Sequence, residues 1–201
     1  MTATEQDDHK AQMKKLQAEQ AQRRRELKDP ERGLVLVHTG DGKGKSSSAF
    51  GVIARALGWG QKVAVVQFIK GKWKTGEKQF FGRFPELVDW HVMGDGFTWD
   101  TQDRERDIEA AEKALVRAGE LIASQDYALV VLDEINIALR YDYLGSNAVI
   151  HVLEQRGKTR VILTGRDAKP DLIEYADTVS EMREIKHAFH NGIRAQQGLD
   201  F

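Results

Sequence analysis

The sequence predicts an α/β fold, a mostly parallel sheet covered by helices on both faces and preceded by a polar N-terminal arm. Three observations carry this. From residue 33 onward, short apolar segments alternate with amphipathic helical ones, the pattern of parallel strands joined by helical crossovers. A glycine- and lysine-rich stretch, HTGDGKGKSS at 38–47, joins the first such strand to the first such helix. Residues 1–32, in contrast, contain no aromatic residue and almost no large apolar one.

Taken in order, residues 1–32 read as a solvated arm, helical in part and ending near Pro30. It is either a tail or a segment that orders over a ligand or a neighbouring subunit. Residues 33–201 form the α/β domain. GLVLVHT (33–39) is a buried strand. SSSAFGVIARALGWG (46–60) is a helix with Phe50, Ile53, Ala54 and Leu57 on one face and glycines at its end. KVAVVQFI (62–69) is a second strand. Residues 103–124 form a long helix with Ile108, Ala111, Leu115, Ala118 and Ile122 inward. YALVVLDEI (127–135) is a strand, and 146–157 is a helix that starts at Ser146 and stops at Gly157. TRVILTG (159–165) is a strand, 169–176 is a helix with Pro170 in its first turn, and 177–182 is a last short strand. No internal repeat is present.

Composition excludes several classes of function. The chain has 201 residues, 41% of them hydrophobic, enough for one domain with a sizeable core. A net charge of −1 gives no support to duplex nucleic acid as a partner. The absence of cysteine excludes disulfides, thiolate zinc sites, iron–sulfur clusters and thiol nucleophiles. Apolar runs such as ALVVL (128–132) are too short to span a membrane, and the polar N-terminus is no signal peptide. A cytoplasmic protein with no membrane or nucleic-acid partner is expected.

The stretch at 38–47 approximates the phosphate-binding loop G-x-x-x-x-G-K-[ST]. Counting back from Gly44-Lys45-Ser46, the first-glycine position holds Thr39, and Gly40 comes one residue late. The loop follows a strand and opens a helix, so backbone N–H groups and the helix dipole face an anion. Gly40, Gly42 and Gly44 allow close backbone approach. Lys45 supplies a point charge, and the Ser46 hydroxyl can reach magnesium. VVLDE (130–134) puts Asp133 and Glu134 at the carboxyl end of an apolar strand, where ligands of open α/β sheets gather. Strand neighbours point to opposite faces, so one of the two meets the metal and the other supports it. ATP with Mg2+ follows. The reaction stays open at this point, because a kinase, an ATPase or an ATP-gated binding module would use the same loop.

The wider pattern is more specific. TGDGKGKSSSAFG (39–51), VAVVQFIKGKWKTGE (63–77), GFTWDTQDRE (96–105), VVLDEIN (130–136), YDYL (141–144), LTGR (163–166), ADTVSEMREIKHAF (176–189) and AQQGLDF (195–201) together resemble the ATP:corrinoid adenosyltransferases of cobalamin synthesis and salvage. Asp41 stands where that family often has asparagine, and Ser46-Ser47 where it often has two threonines. The resemblance implies a P-loop NTPase-like (RecA-like) domain. It implies that the 5′-deoxyadenosyl group of ATP moves to the Co(I) of a corrinoid, cobalamin or cob(I)yrinic acid a,c-diamide, with release of triphosphate. ATP would then lie reversed, with Gly40, Asp41, Gly42, Lys43, Gly44, Lys45, Ser46 and Ser47 holding the leaving group. Lys45 would be catalytic, and Ser46 and Glu134 would hold Mg2+ with Asp133 close by. The resemblance also implies a homodimer and a reduced flavoprotein as electron donor.

Phe97 and Trp99 are two apart, so in an extended segment they point the same way. By themselves they suit a pair that tucks a loop onto the core. The resemblance instead implies aromatics that pack under the corrin and exclude its lower axial ligand. KGKWKTGEK (70–78) suits the crevice or a solvated basic loop equally. Arg166 ends its strand at the same rim, within reach of phosphate or ribose. Arg55 reads as a surface or pairing residue, and His187 and His190, three apart with no third ligand, read as structural.

Overall fold

The computed structural model describes residues 3–69, 75–93 and 103–200, without the side chains of 3–5 and 7. The chain forms two units, Met1–Glu31 and Arg32–Phe201. In the first, α1 (Ala3–Glu26) is one helix, with Arg23, Arg24 and Arg25 in its last turn, where cations suit the helix dipole. Its described side chains are exposed, because Met13 and Leu16 are too few to define an apolar face.

The second unit runs β1 (Val35–Thr39), α2 (Lys45–Gly58), β2 (Val63–Gln67), α3 (Gly76–Phe81), β3 (Val88–Val92), α4 (Arg104–Ala123), β4 (Leu129–Asp133), α5 (Ile135–Arg140), α6 (Ser146–Glu154), β5 (Arg160–Thr164), α7 (Pro170–Tyr175), β6 (Thr178–Glu181) and a 3-10 turn (Ala188–Asn191). The six strands form one parallel sheet in the order β3-β2-β4-β5-β1-β6. This is an α/β fold of the P-loop NTPase-like kind. Strand β5 separates β1 from β4, so the glycine-rich loop after β1 and the acidic end of β4 share one rim, one strand apart. Among the described residues, no helix is long and apolar enough to cross a membrane.

Strand alternation divides the core. Val35, Val37, Ala64, Val66, Val130, Leu132, Val161 and Leu163 face α4, α5 and α6. Val63, Val65, Leu129, Val131 and Ile162 face α2 and Phe81 of α3. Each fully buried valine, leucine or isoleucine is worth about 1.5–3 kcal/mol.

The structure changes some assignments. Ala49 and Ala56 of α2 are buried, whereas Ala54 is exposed, because the buried stripe is rotated about the helix axis from the face the pattern suggested. Ala114 and Leu121 join the inner face of α4, and Ile108 is only partly covered. Strand β3 (VDWHV) and helices α3 and α5 had no counterpart in the sequence reading. β3 is an edge strand whose later residues are only half-buried, so it lacks an apolar run. Glu134 is not a strand residue. It has φ 62° and caps α5, so the two carboxylates diverge through a left-handed residue and not through strand alternation.

Candidate functional site

Residues 40–44 turn the chain between β1 and α2. Gly40 has φ 94° and Gly44 φ 108°, a region that disfavours any Cβ. The crowding at Gly40 and Gly42 comes from the chain itself. A Cβ on Gly40 would lie 2.4 Å from the Met182 carbonyl oxygen, and one on Gly42 2.8 Å from the Arg183 carbonyl carbon. The Gly42 N–H donates to Met182 O at 2.7 Å, and the Met182 N–H to Thr39 O at 2.8 Å. The exit of β6 therefore pins the loop, and the Gly42 N–H is used within the protein.

Lys45 opens α2 and is buried. Its Nζ donates to Gly42 O at 2.7 Å, so the side chain folds back over the loop. Burial pushes its ammonium below the usual range, Glu134 opposes that shift, and Arg166 adds to it. Beneath the loop, buried His38 approaches Lys45 O through Nδ1 at 3.3 Å. A carbonyl only accepts, so Nδ1 carries the proton. Burial pushes the His38 pKa down, which favours the neutral ring. Ser46 is partly buried, and Asp41, Lys43 and Ser47 are exposed.

The acidic pair divides its work. Asp133 is buried, and both its oxygens are occupied. Thr164 Oγ1 donates to one at 2.9 Å and Gln67 Nε2 to the other at 3.0 Å. Gln67 in turn accepts from Trp90 Nε1 at 2.9 Å, and Thr164 Oγ1 accepts the Glu134 N–H at 2.9 Å. Asp133 thus ties β2, β3, β4 and β5 together. The Glu134 carboxylate is pushed up to about 7, first by burial and then by Asp133, with Lys45 and Arg166 opposing. A left-handed non-glycine residue costs about 1–3 kcal/mol, and such strain gathers at functional sites.

Two features of the rim were not legible in the sequence. Lys43 pairs with Asp200 of the C-terminal segment, whose other oxygen accepts the Gln196 N–H at 2.8 Å. The same segment brings Leu199 beside Ser47, Phe50, Phe80 and Phe81, where they line a cleft of about 410 Å³. Arg166 Nη2 donates to Asp41 O at 3.3 Å. Sequence separations of 157 and 125 residues conceal both contacts, although Arg166 had been placed at this rim.

Phe97 and Trp99 lie outside the described residues, as does the 70–74 part of KGKWKTGEK. Arg55 is exposed in the last turn of α2. The His187 ring accepts from the Phe189 N–H at 3.0 Å, and His190 meets Glu184 at 2.8 Å, so both have local partners. Among the described residues, no group of three or more His, Asp or Glu forms a metal cage. The oxygen donors Ser46 and Glu134 suit magnesium, which typically takes one or two protein ligands and completes its shell with phosphate and water.

Residues 31–201 match the family described as ATP:corrinoid adenosyltransferase BtuR/CobO/CobP. The chain is 59% identical over 172 residues to a corrinoid adenosyltransferase of Pseudomonas aeruginosa, a span of 85% of each protein. It is 52% identical over 177 residues to one from Sinorhizobium, covering 87% of this chain and 83% of the relative. It is 46% identical over 172 residues to one from Escherichia coli, covering 85% of this chain and 87% of the relative.

Proposed function

The chain belongs to the ATP:corrinoid adenosyltransferase family, and from this membership we propose how its site performs the reaction. The protein is a transferase that moves the adenosyl group of ATP to a corrinoid. In the proposed step, Co(I) of the corrinoid attacks the ribose 5′ carbon. The Co–C bond forms as the C5′–O bond breaks, and the electron pair leaves on the triphosphate. The nucleophile belongs to the substrate, so no side chain has to take a proton from it. The protein aligns the two substrates and stabilises the departing charge.

The residues Gly40, Asp41, Gly42, Lys43, Gly44, Lys45, Ser46 and Ser47 hold the triphosphate. The observation that carries this is Lys45, whose buried ammonium is folded over the loop where α2 begins. Ser46 and Glu134 would hold Mg2+, which would supply positive charge to the leaving group. Glu134 takes that part because Asp133 is engaged on both oxygens. Phe97 and Trp99 serve the corrin end as the family resemblance implies. The same resemblance supports a homodimer, a reduced flavoprotein donor and a cytoplasmic location. Supplying ATP, Mg2+ and chemically reduced corrinoid, then identifying the inorganic product, tests the reaction. Triphosphate is expected in equal amount with adenosylated corrinoid. Orthophosphate without adenosylation would assign the loop to an ATPase.

A further inference from the structure

Arg166 has no part in the chemistry above, yet the chain is built to hold it at the rim. Gly165 follows β5 with φ 126°. A Cβ there would lie 2.9 Å from Asn136 Cβ and 3.2 Å from a Glu134 carboxylate oxygen, so this corner requires glycine. Asn136 Nδ2 donates to the Gly165 carbonyl at 3.1 Å. Asn136 is fully buried, and its Oδ1 is the one buried side-chain polar atom among the described residues without a hydrogen-bond partner. An unpaired buried acceptor is unfavourable, and leucine would fill similar space without it. What the amide provides in exchange is the fixed carbonyl of the Gly165 corner.

One residue further, Arg166 Nη2 reaches Asp41 O at 3.3 Å. Arg166 is close enough to depress the Lys45 ammonium and to pull Glu134 down. Among the described residues it forms no salt bridge. Lys45 and Arg166 meet the same loop at the adjacent carbonyls of Gly42 and Asp41, and two cations so placed repel unless an anion of high charge joins them.

We propose that Arg166 contacts the triphosphate of ATP as a second cation beside Lys45, and that Asn136 is the positioning residue that holds it there through the Gly165 carbonyl. This rests on the reading of the loop as a triphosphate site. As C5′–O breaks, the electron pair settles on the triphosphate oxygen, and the leaving group becomes one charge more negative than in bound ATP. Arg166 neutralises that charge as a fixed guanidinium and exchanges no proton. The product is bound by this contact more strongly than the substrate is.

The test uses the full chain, ATP, and inorganic tripolyphosphate as the probe, with Mg2+ throughout. Arg166→Ala should weaken tripolyphosphate binding about tenfold or more, weaken ATP binding less, and lower kcat by about 10- to 100-fold. Arg166→Lys should recover only part, since it keeps the charge and loses the planar fork. Asn136→Leu should melt at or above the wild-type temperature and yet lose kcat, a split that a packing role would not produce. Should the leucine variant misfold, Asn136→Ala replaces it. The Asn136/Arg166 double variant should lose no more than Arg166→Ala alone, because both changes remove one contact. Tripolyphosphate binding and kcat within twofold of wild type in Arg166→Ala would overturn the proposal. Fully additive losses would return Asn136 to a packing role. If wild type itself released orthophosphate and no adenosylated corrinoid, the functional reading would fail. If wild type transfers normally and the Arg166 variant matches it, only this inference fails.

Discussion

Each rim of the sheet carries a lysine, a carboxylate and a third polar group, and the two clusters titrate in opposite directions. At the amino ends of the strands, Tyr127 donates to Asp89, Lys62 lies 3.4 Å from the same carboxylate, and the Lys62 ammonium sits 4.7 Å from the Tyr127 ring centre. The Lys62 pKa is raised, chiefly by Tyr127 and also by Asp89. The Asp89 pKa is lowered, chiefly by the Tyr127 hydrogen bond. Lys62 and Asp89 each favour the charge of the other, while burial and Asp89 keep Tyr127 a neutral phenol. At the carboxyl ends, burial drives Lys45 down and Glu134 up. Both charged forms are disfavoured while the site stands alone. The first cluster is complete as it is. The second holds an ammonium and a carboxylate that burial disfavours in their charged forms, the pattern of a candidate site.

The largest expected departure is at Lys45. Lys45→Ala should lower adenosyl transfer at saturating ATP by about 100- to 1000-fold, the usual consequence of losing one contact to developing charge. Thermal melting should hold steady, since the variant removes a disfavoured buried ammonium. A rate within about threefold of wild type would remove Lys45 from the chemistry.

Glu134 comes next, and its effect on stability has a definite sign. Folding raises its pKa from 4.5 to about 7, so the folded protein binds this proton more tightly than the unfolded chain. The stabilisation by Glu134 is present below pH 4.5 and declines as pH rises to about 7. The loss is up to about 3 kcal/mol. Glu134→Gln should abolish that decline. Urea unfolding of ligand-free wild type and variant near pH 5 and near pH 8 measures it, and equal differences at both values would contradict the desolvated carboxylate. The same variant should need more magnesium for half-maximal transfer, because the amide lacks the charge that attracts the cation.

At the opposite rim the order reverses. Asp89→Asn should cost about 1 kcal/mol of stability, modest because the cluster is part-exposed, and leave kcat alone. A fall in kcat without a fall in stability would show that the two ends of the sheet are coupled. The smallest effect is expected at the C-terminal segment. Asp200→Asn frees Lys43 for phosphate and should tighten ATP binding by no more than about fivefold, the range of an exposed ion pair. Calorimetric titration with ATP reads this, and weaker binding would mean that Asp200 orders the loop.

Among the described residues, five of the six strands and most of the helices were legible from residue order alone. Runs such as VLVHT, VAVVQ and LVVLD need burial on both faces, and only a parallel sheet under helices supplies it. β3 was concealed because an edge strand with Asp89 and His91 in it has no such run. The places of the glycine-rich loop between β1 and α2 and of the DE pair at the end of β4 were legible too, since residues beside a strand end are adjacent in sequence. Which carboxylate is free was not. That depends on Gln67 and Thr164 closing on Asp133 from neighbouring strands, and on a left-handed backbone at Glu134 that strand periodicity cannot foresee. The Asp200 contact with Lys43 and the hold of Asn136 on the Gly165 corner likewise exist only once β1, β4 and β5 lie side by side. Sequence settles which groups a chain has and how each short run must be buried. Partners for buried polar groups come from distant segments, and only the packed sheet decides which of them meet.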